Sequence, residues 1–263
     1  MATAQNSMLA SRALAWREIV RFLRQRNRIS GALAQPVLFW AVFGAGLSPS
    51  FRSGPVGYSE YFFPGVIVMI LLFTAIFATI SIIDDRNTGF LQGVLVAPVP
   101  RSALIMGKVA GTTVLAVGQA LLVTAAAPLL GMSIPFAGVL LSVPVLVLIA
   151  IALAGLGTWI AWRMDSTQGF HAIMMSFLMP LWLLSGAFFP PGGTPRWLSI
   201  VIAVNPLTYS VALLRHALYL GRPAVTDGLP SVSVCLAVSI VFALATVAGA
   251  SSAARSRTSG ALP

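Results

Sequence analysis

The chain has 263 residues, of which 58% are hydrophobic and only 8% are charged, and its mean hydropathy is +0.93. Soluble domains carry about 25% charged residues, so this composition excludes an ordinary soluble domain and indicates a membrane protein. The formal net charge is +10, but the basic residues lie at the ends of apolar stretches, as orientation signals do, which argues against nucleic-acid binding. The single Cys235 excludes an internal disulfide and a cysteine-based metal site.

Residues 8–28 form the first predicted element, an amphipathic helix. Apolar residues recur at four- and three-residue steps, and four arginines follow the same spacing one position over. We expect this helix to lie in the plane of the cytoplasmic lipid headgroups with its arginines on anionic phosphates, each worth about 1 kcal/mol. A solvated helix beside the membrane is the alternative. The apolar residues are Leu9, Ala13, Trp16, Val20 and Leu23, and the arginines are Arg17, Arg21, Arg24 and Arg28.

Six apolar stretches have roughly the 20 residues that a helix needs to cross the hydrocarbon core. They predict an all-α polytopic membrane protein with about six transmembrane helices, in which residues 1–263 form a single transmembrane domain. The largest polar interruption between them is residues 84–108. The predicted spans are residues 29–47, 60–83, 109–130, 136–162, 170–189 and 231–250.

Residues 181–220 break the pattern between the fifth and sixth spans. Two short apolar runs, 181–189 and 197–204, flank a turn rich in proline and glycine at residues 190–195. Neither run can span the membrane alone, and the backbone groups that the prolines free must be met by neighbouring helices or by water. We therefore expect a re-entrant helical hairpin that dips into the membrane from one face. A second break at Asn205-Pro206 begins a further helix.

The distribution of basic residues predicts the orientation. Of the sixteen Lys and Arg residues, twelve fall on the side of the N-terminus in this topology and four on the other side. By the positive-inside rule, the N- and C-termini are expected in the cytoplasm. The same bias favours six spans and a hairpin over seven spans, which would place the C-terminal arginines outside. The four residues on the outer side are Arg52, Arg196, Arg215 and Arg222.

The sequence shows neither of the two usual energy sources of a transporter. A phosphate-binding loop needs GxxxxGK followed by Ser or Thr, whereas the single lysine, Lys108, is followed by Val109, and Ser102 stands where the first glycine is needed. Ion-driven transporters place ionisable groups near the bilayer midplane. The six acidic residues instead lie at or beyond the predicted span ends, and a gradient-driven secondary transporter is kept as an alternative function. These residues are Glu18, Glu60, Asp84, Asp85, Asp165 and Asp227.

Energy is therefore expected from a partner protein, and the polar residues 84–108 are where it would bind. The segment is predicted to form a short helix that prolines stop. An apolar side between charged ends suits a groove on another protein. A solvated loop without a partner is the alternative. The apolar side is formed by Leu91, Val94, Leu95 and Pro98.

The acidic residues of this segment also allow a competing interpretation as an enzyme. Membrane prenyl- and alcohol-phosphotransferases hold Mg²⁺ with acidic clusters, because a hard cation needs several oxygen ligands. Asp84 and Asp85 are adjacent, so on a helix they point about 100° apart, and Asp165 stands alone. We therefore predict no catalytic residue and no metal site, and keep the transferase as an alternative.

Two regions of the sequence resemble a known family. The pattern GAFFP, followed by NPLTY and LLR, occurs within residues 180–215, and residues 85–101 contain a segment similar to the pattern ERxxGxLxxLxxxPxxR. Both resemble the membrane subunit of the type-2 ABC exporters, which are drug, polysaccharide and lipid export permeases. The second region differs in having Asp85 in place of glutamate, and Gly93 and Val94 inside a helix that is usually richer in helix formers. The resemblance extends through most of the chain in the order of its elements.

The resemblance implies a permease subunit that is not itself an enzyme. A separate ABC ATPase subunit would bind ATP and Mg²⁺, this chain would hold no cofactor, and a second permease copy, identical or related, would complete the complex. It also implies a bacterial or archaeal plasma membrane and a drug-like, lipid-like or glycan cargo. The residues implied in ATPase coupling are Asp85, Arg86, Gly89, Leu91, Leu95, Pro98 and Arg101, and those implied in an outer gate are Gly186, Phe188, Phe189, Pro190, Pro195, Asn205, Pro206 and Tyr209.

Overall fold

The computed structural model describes residues 2–47, 57–91, 93, 100–188 and 195–256. Within these ranges every regular element is helical and no strand occurs. The predicted all-α fold class is therefore confirmed. Four residues implied in coupling or gating lie outside the described residues, namely Leu95, Pro98, Phe189 and Pro190.

The main helices of the described residues are, in chain order, α1 (Ala2–Arg24), α2 (Arg26–Leu47), α3 (Tyr58–Asn87), α4 (Arg101–Ala126), α5 (Phe136–Arg163), α6 (Thr167–Ala187), α7 (Arg196–Val204), α8 (Pro206–Leu218) and α9 (Val232–Ser256). By length and composition, α2 to α6 and α9 can each cross a membrane, which confirms the prediction of six spans. The shorter pair α7 and α8 lies between the fifth and sixth spans and is bent by 78°.

Helix α3 lies at the centre of the bundle. Its most apolar stretch is 94% buried, whereas that of α2 is 17% buried and that of α9 is 22% buried. Helices α2, α4 and α5 pack around it. Polar contacts also join these helices, since the Thr74 hydroxyl of α3 donates to the Gln119 side chain of α4 at 3.0 Å. Such interhelical hydrogen bonds stabilise packing inside a membrane, where apolar surface alone gives no driving force.

Helix boundaries differ from the prediction where charged residues occur. Helix α1 begins before residue 8 and ends before residue 28, and α2 follows after one residue. Helix α3 continues to Asn87 and α4 begins at Arg101, so the polar interruption predicted at residues 84–108 is shorter at both ends. The prediction ended the second span before Asp84 and began the third after Lys108. In the structure those charges have ionic partners on neighbouring helices, which allows the helices to continue.

Two residues shape the hairpin between α6 and α8. Gly186, in the last turn of α6, has a φ of +70°, which glycine adopts without steric cost. Asn205 lies at the bend between α7 and α8, where its side-chain oxygen accepts a hydrogen bond from the Leu207 N–H and its side-chain nitrogen donates to the Leu181 carbonyl at 2.6 Å. Because Leu181 is in α6, this bond brings the bend back beside α6. The chain therefore returns along α6 through α7, as a hairpin requires.

Candidate functional site

Helix α1 lies directly on α4 because glycines allow close contact. A Cβ atom at Gly107 would come within 2.8 Å of the Ser11 carbonyl oxygen, and one at Gly111 within 2.9 Å of the Ala15 carbonyl oxygen. The Ser11 hydroxyl also donates to the Ala103 carbonyl at 3.0 Å. One face of α1 is therefore held against α4 beside the end of α3, and charged side chains from the three helices meet there.

Lys108 is the centre of this buried ionic cluster. Its Nζ donates to Glu18 Oε2 at 2.5 Å, to Ser81 Oγ at 2.8 Å and to Asp85 Oδ2 at 2.9 Å. The side chains of Lys108, Glu18 and Asp85 are only 2–5% exposed. An ammonium group has three N–H donors, so Lys108 is fully satisfied. We define the ionic cluster as Arg17, Glu18, Arg21, Arg28, Ser81, Asp84, Asp85 and Lys108.

Arginines of α1 and α2 bind the two aspartates at the end of α3. Arg17 donates to both Asp85 oxygens at 2.9 and 3.0 Å, and Arg21 donates to Asp85 at 2.7 Å and to Asp84 at 3.2 Å. Arg28 donates to Asp84 at 3.2 Å. Paired contacts of this kind are among the stronger hydrogen bonds in proteins. The hydrogen bonds to Asp85 raise the pKa of the Arg17 guanidinium above its ordinary value, so this group stays charged.

The ion pairs with Asp84 and Asp85 leave fewer arginines available for the lipid contact that was expected of α1. Of the four arginines expected to bind lipid, Arg17 and Arg21 of α1 and Arg28 of α2 are hydrogen-bonded to carboxylates inside the chain, whereas Arg24 is exposed. The exposed side of α1 carries Leu9, Trp16 and Leu23, which are 57%, 67% and 55% exposed. A row of exposed apolar side chains suits the interface between lipid and water. Lipid contact of this helix stays a prediction, and it depends on these side chains more than on the arginines.

Glu18, Ser81 and Lys108 are site residues that the sequence analysis missed. Glu18 and Lys108 are 90 positions apart, so no spacing pattern connects them. One signal was present, because Lys108 is the single lysine and continues directly into an apolar stretch. An ionisable residue inside a membrane-length apolar helix costs free energy unless it is paired with an opposite charge or a hydrogen-bonding group. The need for a partner could be inferred from the sequence, but its identity could not.

The residues implied in ATPase coupling occupy the end of α3 and the start of α4. Asp85 is 2% exposed and bound within the ionic cluster, so its carboxylate faces the interior of the chain. Arg86 donates to the carbonyl oxygens of Met164 and Trp162 at 2.8 and 3.2 Å, which joins α3 to the connection between α5 and α6. Arg101 opens α4 and is exposed. The first two side chains therefore fix the end of α3 against its neighbours.

The chain turns at Gly89, directly after α3. Gly89 has a φ of +75°, which costs other residues about 1–2 kcal/mol. Leu91, expected to face a partner, is instead 4% exposed and packs into the core, whereas Phe90 is 37% exposed. The guanidinium carbon of Arg17 lies 3.7 Å from the centre of the Phe90 ring. Phe90, which the sequence analysis missed, is therefore exposed, and its ring packs against the Arg17 guanidinium of the ionic cluster.

The other end of α3 binds the end of α6. The Tyr61 hydroxyl donates to the Gly186 carbonyl at 2.8 Å, and the Tyr58 hydroxyl donates to the Phe188 carbonyl at 3.3 Å. The Phe188 ring is 8% exposed and packs edge-on against Phe62, with ring centres 5.2 Å apart. Two of the residues expected at the outer gate are thus held by tyrosines of α3.

The remaining described gate residues lie in the hairpin itself. Pro195 precedes the first turn of α7, and Pro206 is the first residue of α8. The Tyr209 hydroxyl donates back to the Ala203 carbonyl at 2.8 Å. Together with the Asn205 cap, this bond satisfies backbone groups that the bend leaves free. The structure therefore gathers these residues at one bend, and their role in gating stays a prediction.

Arg215 of α8 is a buried charge outside the ionic cluster. It is 1% exposed, donates to the Tyr61 carbonyl at 3.1 Å and lies with its guanidinium carbon 4.1 Å from the centre of the Tyr61 ring. Close by, the Tyr219 hydroxyl donates to the Glu60 carbonyl at 2.8 Å, and Arg222 pairs with the Glu60 carboxylate. The sequence analysis counted Arg215 only as an orientation signal. In the structure it joins α8 to the start of α3.

The described residues contain no group of three or more His, Cys, Asp or Glu side chains arranged to hold a metal ion. Asp84 and Asp85, the candidates for an Mg²⁺ site, are both hydrogen-bonded to arginines. Carboxylates that are occupied in this way differ from the open oxygen ligands of a magnesium site. The site is therefore an ionic junction between helices.

Comparison with known proteins identifies the family. The sequence model described as "ABC-2 type transporter" matches residues 10–219, a range that includes the ionic cluster, the turn at Gly89 and the hairpin. The chain belongs to the ABC-2 type transporter family. Together with the six candidate spans, this makes the ABC-2 chain a multi-pass membrane protein built as a helical bundle.

The ABC-2 chain is similar to several curated proteins. It is 29% identical over 192 residues to the putative transport permease ycf38 of Cyanophora paradoxa, covering 71% of this chain and 66% of that protein. It is 28% identical over 221 residues to Nodulation protein J of Rhizobium leguminosarum bv. trifolii, covering 82% and 83%. It is 30% identical over 154 residues to the probable multidrug ABC transporter permease YbhR of Escherichia coli (strain K12), covering 58% and 42%. The similarity thus spans most of Nodulation protein J and less than half of YbhR.

Proposed function

We propose that the ABC-2 chain is the permease subunit of an ATP-driven exporter in a bacterial or archaeal plasma membrane. Membership of the ABC-2 type transporter family carries this proposal. The six candidate spans and the names of the two relatives called permeases support it. The N- and C-termini lie in the cytoplasm in this proposal, as the distribution of basic residues favours.

In this proposal, a separate ABC ATPase subunit binds ATP and Mg²⁺ and supplies the energy. It docks on the segment that follows α3, where the chain turns at Gly89 and Phe90 is exposed. The ionic cluster supports this assignment because it joins α1, α3 and α4 directly behind the segment. A displacement of the segment would therefore move three helices together.

A second permease copy, identical or related, completes the cargo path, with the hairpin as the outer gate. A groove of about 570 Å³ lies between α6 and α7, and residues such as Phe177, Leu181 and Val204 make its lining largely apolar. An apolar groove suits a drug-like or lipid-like cargo better than a glycan. The name of YbhR, a probable multidrug permease, points in the same direction.

The first test is purification of the tagged chain from its native host in mild detergent, with identification of each co-purifying protein and an assay of ATPase activity. We expect an ABC ATPase in equal numbers with the permease. Reproducible purification of the chain alone, under conditions that preserve other ABC complexes, would contradict the proposal.

A substitution then tests the docking segment. Leu95→Asp is expected to remove the ATPase from the purified complex while the permease still inserts into the membrane. The matched control is Gln168→Asp, which adds the same charge at an exposed position in the first turn of α6. If both variants retain the ATPase equally, or both lose it, the docking assignment is wrong.

A gradient-driven transporter is the second candidate function, and the ionic cluster is the observation that favours it. Glu18, Asp85 and Lys108 are buried ionisable groups on or against membrane-length helices, and such groups often mark ion pathways. Transport into membrane vesicles separates the two candidates. Uptake driven by ATP and resistant to a proton ionophore supports the exporter, and uptake that needs no ATP and is abolished by the ionophore supports the second candidate.

A further inference from the structure

A groove lies between α4 and α9. Both helices pack on α5, and the space between them has a volume of about 480 Å³. Its walls carry aliphatic side chains over about two turns of each helix, and α5 closes its floor. The lining residues that define it are Met106, Ala110 and Val114 of α4, Leu148 of α5, and Ile240 and Leu244 of α9.

Two arginines lie beyond one end of this groove, further along α4 and α9. Arg101 opens α4, and Arg255 is in the last turn of α9. The Arg101 guanidinium donates to the Arg255 carbonyl at 3.3 Å, so the two residues are neighbours, and both side chains are exposed. Met106 follows Arg101 by about 7 Å of helix rise. Flexible arginine side chains can span such a distance while keeping their charge at the membrane surface.

We propose that the groove binds one acyl chain of an anionic phospholipid, whose phosphate group lies on Arg101 and Arg255. The apolar walls match the acyl chain, and the paired guanidinium groups match the phosphate in charge and in hydrogen-bond geometry. Lipid phosphates and arginines meet at this depth because arginines mark the membrane surface.

The charges of the chain argue against a second permease copy as the occupant. Five of its six acidic residues already form ion pairs within the chain, and the sixth, Asp227, lies on the α8–α9 connection at the opposite end of α9 from Arg255. Among the described residues, a second copy therefore offers only Asp227 outside these ion pairs, and Asp227 lies at the wrong end of α9 to meet the two arginines. Anionic lipid supplies the missing negative charge.

The test is native mass spectrometry of the full chain, purified in mild detergent, delipidated and titrated with phosphatidylglycerol or phosphatidylcholine. We expect one tightly bound phosphatidylglycerol that phosphatidylcholine does not replace. In the double variant Arg101→Gln/Arg255→Gln, the affinity for this lipid should fall about fivefold for each arginine lost. Equal binding of the two lipids by the unaltered chain would overturn the proposal, and so would unchanged affinity in the double variant.

A groove-filling variant tests the acyl-chain part of the site. Ala110→Phe places a ring in the groove and should remove the bound lipid, whereas Leu122→Phe, at a 68% exposed position two turns beyond the groove, should not. The arginine substitutions should have no further effect on lipid binding when they are combined with Ala110→Phe. If Ala110→Phe retains the lipid, or if Leu122→Phe removes it equally, the lipid lies elsewhere and the proposal is wrong.

Discussion

Replacement of Lys108 by methionine should strongly destabilise the fold, because it leaves Glu18 buried without a cationic partner. Glu18 is 2% exposed, and after the change it would keep only the hydrogen bond from Ser81 at 2.7 Å. Asp85 would keep Arg17 and Arg21, so the cost falls mainly on Glu18. Removing one partner of a buried ion pair costs about 3–5 kcal/mol.

This cost should appear as a lower temperature of unfolding. For chains of this size, 1 kcal/mol shifts the midpoint by about 2–4 °C, so Lys108→Met should unfold roughly 10 °C below the unaltered chain. The measurement is the temperature at which half of the detergent-solubilised protein leaves the monodisperse peak in size-exclusion chromatography. The control Arg12→Gln removes a positive charge from an exposed position on α1 and should change the midpoint by less than about 2 °C.

A double variant separates the loss of an ion pair from a general loss of packing. In Glu18→Gln/Lys108→Met, the buried carboxylate is replaced by a neutral amide that can still accept a hydrogen bond from Ser81. This variant should recover much of the lost stability, with a coupling of about 1–3 kcal/mol between the two positions. A Lys108→Met chain as stable as the unaltered one, or a strictly additive double variant, would refute the assignment of a buried ionic cluster.

Three further substitutions test other junctions. Gly65→Leu should lower the unfolding temperature by the equivalent of about 1–3 kcal/mol, because a Cβ atom there would lie 2.6 Å from the Ala187 Cβ. Asn205→Ala removes the cap of α8 and the bond to the Leu181 carbonyl, so thermal unfolding should show a loss of about 1–2 kcal/mol. Gly89→Ala forces alanine to a φ of +75° and should both cost about 1–2 kcal/mol and weaken ATPase co-purification.

Each of these variants has an internal comparison. Asn205→Asp keeps the oxygen that caps α8 and loses only the donor to α6, so it should fall between the unaltered chain and Asn205→Ala. Gly46→Ala is the control for both glycine changes, since a Cβ atom at Gly46 would meet nothing within 4 Å. The explanations given for Gly65 and Gly89 fail if these variants unfold at the same temperature as Gly46→Ala.

The spans could be predicted from the sequence because hydropathy over about 20 residues depends on the chain alone. The hairpin could also be predicted, since prolines and glycines interrupt its helices whatever the surrounding fold. Asn205-Pro206 is a local signal of the same kind, with a cap followed by a proline at the first helical position. These features need no knowledge of which helices are neighbours in space.

The ionic cluster could not be predicted because it depends on which helices become neighbours. Lys108 was placed in a polar loop, although it lies in α4, since a lysine next to an apolar stretch usually marks a span end. Its partners come from α1 and α3, and close packing of α1 at Gly107 brings one of them, Glu18, into reach. The burial of Leu91 was missed for the same reason, because its packing surface lies on other helices.

Helix α3 connects the two polar junctions of the chain. At one end Asp85 joins the ionic cluster, and at the other Tyr61 binds both the Gly186 carbonyl and Arg215. Tyr61 and Asp85 are 24 residues apart on one helix, which corresponds to a rise of about 36 Å. Pro64 lies inside α3 between these two residues and removes one helix hydrogen bond, so a displacement at the cluster would reach the hairpin through a helix that can bend near its Tyr61 end. If the chain works as the proposed exporter, the side chains that hold α3 in place would carry motion from the proposed docking segment to the proposed outer gate.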